Sequence, residues 1–259
     1  MKLDHIIVAV SDLDQAIADF RILGFTTFFG GVHAGGETHN ALICLLDGSY
    51  IELIAPTDPA LPPSSSPYLG RGKGFAGYAM LVDDMAVQAA QMQARGLAFD
   101  GPKAGGRQRT DGQMLRWQTL FFADTLSPFL IIDDTPRILR VPEDADKLAH
   151  ENGAQGIRQL VVAVADLAAA AARYAAILDQ EPQPGPPIEN AETRNFQLDG
   201  CVITIAAPLD DSGPVADHLR DYGESPFRCR IGIIDAVHAG PLDLALTHRA
   251  HFDLSLNGG

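Results

Sequence analysis

An α+β fold assembled from tandem strand–helix–three-strand (βαβββ) units is the fold class this sequence predicts. Three observations carry that prediction. The run from Leu3 to Leu13 reappears, position for position, from Ile157 to Leu167. The run from Asp47 to Pro56 reappears from Asp199 to Pro208 at almost the same offset, so a structural unit is duplicated. Finally, short runs rich in Ile and Val alternate with capped segments of helical spacing, the pattern of strands interleaved with helices.

The elements follow in order. Leu3–Val10 reads as a buried strand, and Ser11 or Asp12 caps a helix with Leu13, Ala16, Ile17 and Phe20 on one face, ended by Gly24. Phe25–Phe29 is a short strand, and Gly30–Gly36, carrying His33, is a glycine-rich loop and a candidate lid. Asn40–Leu46 and Tyr50–Ile54 are strands joined by an Asp47-Gly48 turn. Pro56–Gly72 is a connecting loop. A second unit has a strand at Gly77–Val82, a helix at Met85–Ala94, and strands at Arg116–Phe122 and Pro128–Ile132. A third opens at Ile157, with an Ala-rich helix at Leu167–Leu178 and a hairpin from Asn195 to Ile205. Strands at Arg228–Ile234, Leu242–Thr247 and Ala250–Leu256 form a truncated fourth unit. The predicted organisation is a domain over 1–135 with two units, a linker over 136–155, and a second domain over 156–259.

The chain has 259 residues, 46% hydrophobic and 20% charged, ordinary for a globular protein with a substantial core. A net charge of −14 argues against nucleic-acid and anionic-membrane partners, which are themselves polyanionic. Cys44, Cys201 and Cys229 are scattered without metal-site spacing and read as reduced, buried thiols. With no secretory leader pattern and no apolar run of membrane-spanning length, the expected location is cytoplasmic. No phosphate-loop pattern is present, so no nucleotide cofactor is expected, and no nucleophile elbow supports covalent hydrolysis.

Two charged or ionisable residues stand inside apolar strands, His5 and Glu52. Such groups are costly to bury unless they have partners. Imidazole and carboxylate together suit Zn, Mn, Fe or Ni, with His39 as a third ligand or a supporting donor. In the repeat these positions become Gln159 and Thr204, and in the second unit about Gly77 and Leu130, so only half of a metal cage is visible. The alternative is that His5 and Glu52 hydrogen-bond to each other and hold no metal. The segment Arg107–Trp117 places Arg107, Arg109 and Arg116 beside the only tryptophan, an arrangement suited to an acidic small molecule on Arg109 or Arg116 against the Trp117 ring.

Leu3-Asp4-His5-Ile6-Ile7, Gly35–Leu42 with its Thr38-His39-Asn40 element, Tyr50-Ile51-Glu52-Leu53-Ile54 and Ser127-Pro128-Phe129 resemble the vicinal oxygen chelate superfamily, and more narrowly its glyoxalase-like branch. The resemblance implies curved, half-open mixed sheets around a cleft, with His5 and Glu52 at ligand positions for a divalent metal. It also implies lyase, isomerase or dioxygenase chemistry on a small acidic molecule, with Glu52 and His39 catalytic and Asn40, Arg109, Arg116 and Trp117 contacting substrate. The residues leave open a metal-free protein that binds or sequesters a small molecule in the same cleft, as a monomer or homodimer.

Overall fold

The computed structural model describes residues 1–58, 60, 73–124 and 127–257. Most of the expected Pro56–Gly72 loop lies outside the described residues. The first unit comprises β1 (Lys2–Ala9), α1 (Leu13–Ile22), β2 (Phe28–His33), β3 (Thr38–Cys44) and β4 (Tyr50–Pro56). Asp12 caps α1 by accepting from the Gln15 amide. Gly48, at φ +80°, supplies the left-handed residue of the β3–β4 turn. The second unit comprises β5 (Gly74–Leu81), α2 (Met85–Ala94), β6 (Phe99–Gln108), β7 (Met114–Phe122) and β8 (Phe129–Asp133). A short linker carries a 3-10 turn at Arg137–Leu139 and the one-turn α3 (Ala145–Leu148). The rest comprises β9 (Ala154–Ala163), α4 (Leu167–Leu178), β10 (Gln183–Pro184), β11 (Ala191–Gln197), β12 (Val202–Pro208), α5 (Pro214–Tyr222), β13 (Ser225–Ile233), β14 (Gly240–Pro241) and β15 (Phe252–Leu256).

The strands of the first two units form one mixed sheet in the order β1-β4-β3-β2-β6-β7-β8-β5, and β5 returns to β1. The curved sheet is thus closed, where a half-open one was expected. Closure on the β2–β6 side rests on two pairs, Val32 with Gln108 and His33 with Arg107. The remaining strands form a seven-stranded sheet, β10-β11-β12-β9-β13-β15-β14. The outer faces of both sheets and their helices share one core: Ile6, Val8, Phe20, Ile51 and Met80 from the first two units with Leu160, Tyr174, Ile231 and Phe252 from the rest of the chain. The hydroxyls of Tyr78 and Tyr174, both fully buried, bond to each other across this seam.

Several elements differ from the sequence reading. The residues expected as a lid, Gly30–His33, belong to β2. Gly30 and Gly31 are needed there because the strand crosses close to β6: a Cβ on Gly30 would meet Arg107 Nη1 at 1.9 Å, and one on Gly31 would meet the Gln108 carbonyl oxygen at 2.1 Å. β6 itself was not anticipated. Leu242–Thr247 is a turn held by Asp243 and Leu244 carbonyls rather than a strand. α5, also unforeseen, buries Val215 against the inner face of the second sheet, on Val161, Ala163, Ala206 and Phe227.

Candidate functional site

Strand periodicity decides what faces the barrel interior. Side chains alternate across a sheet, so residues two apart share a face. On β1, Ile6 and Val8 enter the outer core while His5 and Ile7 point inward. On β4, Ile51 and Leu53 pack outward while Tyr50, Glu52 and Ile54 point inward. The same alternation sends Thr38, Asn40 and Leu42 inward from β3, Trp117, Thr119 and Phe121 from β7, and Phe129 and Ile131 from β8. Together with His33, Arg107 and Arg140 they enclose a cavity of about 180 Å³. The wall is polar on the β1–β4 side and aromatic or aliphatic on the β7–β8 side.

Glu52 is the centre of the polar wall. It is 6% exposed, and its Oε1 accepts from Asn40 Nδ2 at 2.6 Å. His5 Nε2 lies 3.4 Å from Oε2 and His33 Nε2 lies 3.5 Å from Oε1, so an imidazole flanks each oxygen. Burial alone would raise the Glu52 pKa; the bond to His33, the charges of His5 and His33, and the Asn40 bond outweigh it and hold the carboxyl down at about 2. Glu52 is therefore ionised at any physiological pH. His5 Nδ1 is held by Asp4 Oδ2 at 2.9 Å, and the ring stacks on Tyr50 at 4.5 Å.

Behind this wall sits a group of ions that the sequence did not reveal. Asp4 is fully buried and ion-pairs with Arg140 at 2.8 Å and Arg137 at 2.5 Å. Burial would raise its pKa, but Arg140, His5 and Arg137 together hold it far below the ordinary carboxylate range. Arg140 also pairs with Asp133 at 2.5 Å and donates to the Tyr50 hydroxyl at 2.7 Å. Burial pushes the Tyr50 pKa well up, so its phenol stays protonated.

Arg107 differs from Arg140. It is 3% exposed, donating to Asn40 Oδ1 at 2.9 Å and to the Arg140 carbonyl at 3.2 Å. Among the described residues it has no ion pair with a carboxylate. The Asn40 side chain thus stands between a cation and an anion, bonded to both and keeping them apart.

The structure brings His5, Glu52, Asn40 and Trp117 together as expected of a shared cavity. It corrects three other placements. His39 has the opposite parity to Asn40, so it leaves β3 on the outer face, edge-on to Phe29 at 6.0 Å, and cannot join Glu52. Arg109 turns away to the Leu139 carbonyl (2.7 Å) and Asp111 (3.1 Å). Arg116 is exposed, one position out of phase with Trp117. The guanidinium that reaches the cavity is Arg107. The matching position on β8 is also shifted: Leu130 enters the outer core, and Phe129 and Ile131 face inward.

A divalent metal does not fit these residues. Among the described residues, no three His, Cys, Asp or Glu side chains are grouped to hold a metal ion. His5 and His33 address opposite oxygens of Glu52 rather than one common point, the facing wall is Trp117, Phe121, Phe129 and Ile131, and Arg107 brings a positive charge to the same wall. In the third unit, Gln159, Thr204 and Asn195 bond to one another at 2.8 Å, and α5 covers that face.

In this chain a pair of βαβββ units closes around a polar cavity, and the second sheet packs on its outside. A family model described as a glyoxalase-like domain matches residues 3–178, and the chain belongs to that family. Among solved structures, a hypothetical protein from Staphylococcus aureus is similar over 99% of both chains, at 15% identity and a TM-score of 0.74. A mutant 4-hydroxymandelate synthase from Streptomyces coelicolor is similar over 94% of this chain and 77% of its own, at 14% identity and a TM-score of 0.62. Both likenesses concern the fold. No curated protein matches the sequence. Among the described residues, no helix is long and apolar enough to cross a membrane.

Proposed function

We propose that the barrel interior binds a small molecule carrying a carboxylate and, close to it, a hydroxyl or amino group, without the help of a metal. The observation that supports this reading is the Asn40 spacer. A buried guanidinium and a buried carboxylate normally collapse onto each other, since an unpaired buried charge is expensive. Here Asn40 takes one bond from Arg107 and gives one to Glu52, which leaves Arg107 without a carboxylate among the described residues and Glu52 with the imidazoles of His5 and His33 in place of a guanidinium. A ligand carboxylate completes Arg107 through charge-assisted hydrogen bonds, and a ligand O–H or N–H donates to Glu52. Trp117, Phe121, Phe129 and Ile131 take up its apolar body. A cavity of about 180 Å³ sets the scale. An engineered dry cavity of about 150 Å³ holds benzene, so the ligand here has roughly six to ten heavy atoms.

A second reading is favoured by the row Asp4–His5–Glu52, with His33 on the far side. A proton taken from the ligand by Glu52 passes to His5 or His33, as lyase or isomerase chemistry requires. A carboxylate held at about 2 is a weak base, which places binding ahead of turnover.

Trp117, the only tryptophan, reports directly on the cavity. Its fluorescence should respond to small 2-hydroxy or 2-amino acids. The esters or decarboxylated analogues of the same compounds should bind at least about tenfold more weakly, the worth of one charge-assisted contact. Arg107→Gln should remove the difference. Equal affinity for acid and ester, or a cavity that answers to neither, would refute the reading. Turnover of a bound acid by the wild type, lost in Glu52→Gln, would establish the second.

A further inference from the structure

Arg107 lines a second pocket, on the outside of the barrel. This hollow, about 60 Å³, lies between the start of β2, the end of β6 and the linker, and is bounded by Arg107, Arg109, Arg140 and Lys147 with Phe28 and Phe29. Among the described residues no Asp or Glu lines it, in a chain whose net charge is −14. Four cations around one small hollow repel one another, and the cost of gathering them falls when an anion sits among them.

The carboxylates nearby are poor competitors for that role. Asp111 reaches Arg109 at 3.1 Å and Asp144 reaches Lys147 at 3.1 Å, but their side chains are 50% and 60% exposed. Exposed pairs of this kind contribute little, because water screens them. Arg140 is neutralised on its other side by Asp4 and Asp133. That leaves Arg107, already without a carboxylate, with the outward edges of Arg109 and Lys147. One water needs about 10–15 Å³ of such space, so a hollow of about 60 Å³ has room for a small oxyanion group.

We infer that this outer pocket is a second anion-binding site, for a single phosphoryl or carboxylate group held by Arg107, Arg109 and Lys147. The pocket stands by itself as a site. A consequence rests on the carboxylate reading of the barrel: both anions draw on the charge of Arg107, so each weakens the other, and by linkage the weakening is equal in both directions.

The test uses the full chain with inorganic phosphate and acetate as probes, at constant ionic strength, followed by calorimetry. Wild type should bind one equivalent of at least one probe. Tighter phosphate than acetate marks a phosphoryl site, and the reverse marks a carboxylate site. Arg109→Gln/Lys147→Gln should lower the affinity about tenfold or more while its Trp117 titration with a barrel ligand stays as in wild type. Arg109→Gln alone serves if the double variant fails to fold, since Lys147 also packs over the Phe28 ring. Equal affinity of wild type and variant for both probes, or no binding of either by wild type, overturns the site. Phosphate binding that is lost in the variant, alongside a Trp117 signal that never answers to any acid, separates failure of the barrel reading from failure of this one.

Discussion

Replacing Arg140 with methionine tests the ionic group behind the cavity and, with it, the claim that His5 is held in place from the rear. Arg140 is 3% exposed and bonds Asp4, Asp133 and Tyr50. Methionine fills much of its volume but none of its polar contacts. Asp4, which is 0% exposed, is then left with Arg137 as its guanidinium partner. Stranding one member of a buried ion pair costs about 3–5 kcal/mol. Arg137 recovers part of that, so the expected loss of unfolding free energy at pH 7 is about 3 kcal/mol. The pH dependence supplies a second, independent check. The Asp4 pKa is depressed in the folded protein, so its contribution is fully present above the ordinary aspartate value of about 4 and is lost as pH falls towards its folded value. Below about pH 4 the gap between wild type and Arg140→Met should therefore close, by at most about 1.4 kcal/mol per pH unit. Urea unfolding followed by circular dichroism between pH 7 and pH 3 measures both quantities. A loss below about 1 kcal/mol at pH 7, or a gap that stays constant down to pH 3, would refute the reasoning.

Three further outcomes are expected. Gly30→Ala places a methyl 1.9 Å from Arg107 Nη1 and 2.3 Å from Asn40 Oδ1, so it should displace the Arg107–Asn40 contact, cost about 1–3 kcal/mol in thermal unfolding, and weaken binding of acids seen by Trp117. Glu52→Gln keeps the shape and removes the charge, so a 2-amino acid should lose about tenfold in affinity while a plain carboxylate, no longer repelled, should gain; the two titrations moving together would count against the Asn40 spacer. Tyr174→Phe leaves the buried Tyr78 hydroxyl without its partner and should cost about 1–3 kcal/mol, whereas Tyr78→Phe/Tyr174→Phe should cost less than the two single changes summed, as a double-mutant cycle in urea would show.

Much of the scaffold was legible in the chain because duplication speaks twice. The Asp47-Gly48 and Asp199-Gly200 turns, the Asp12 cap, and the apolar runs of β1 and β9 are local signals, and each marks its element. Glu52 and His5 stood out since an ionisable group in an apolar strand needs a reason. The failures have physical causes. β6 reads Phe-Asp-Gly-Pro-Lys-Ala-Gly-Gly-Arg-Gln, poor in β-branched residues and rich in glycine, and it forms a strand through its pairing with β7 rather than through propensity. Because β6 carries no strand signal, the sequence does not set the phase of Arg107, and it does not separate Arg109 from Arg116. His39 and Asn40 were both expected at the site, yet neighbours on a strand face opposite ways, and the outward Ala41 and Ile43 are as apolar as the inward Leu42, so the sequence does not mark the phase. Arg140 lies near its partner Asp133 in a charged linker, but the buried partner Asp4 that ties it to the cavity lies 136 positions away.

The silent repeat explains why the chemistry gathers in one place. Gln159 and Thr204 occupy the frame of His5 and Glu52, on strands paired in the same parallel register. Gln159 donates to Thr204 and Thr204 to Asn195, a row of neutral hydrogen bonds where the first unit has ions. α5 then packs on that sheet face, with Val215 against Val161, Ala163, Ala206 and Phe227. In the first pair of units, β5–β8 close the barrel instead, and their aromatic side chains leave a cavity standing over Glu52. Arg107 and Glu52 are retained there uncollapsed, with the Asn40 amide bonded to both. Neutralising one of them strands the other, so a variant that neutralises both together (Arg107→Gln/Glu52→Gln) should unfold at a higher temperature than either single variant.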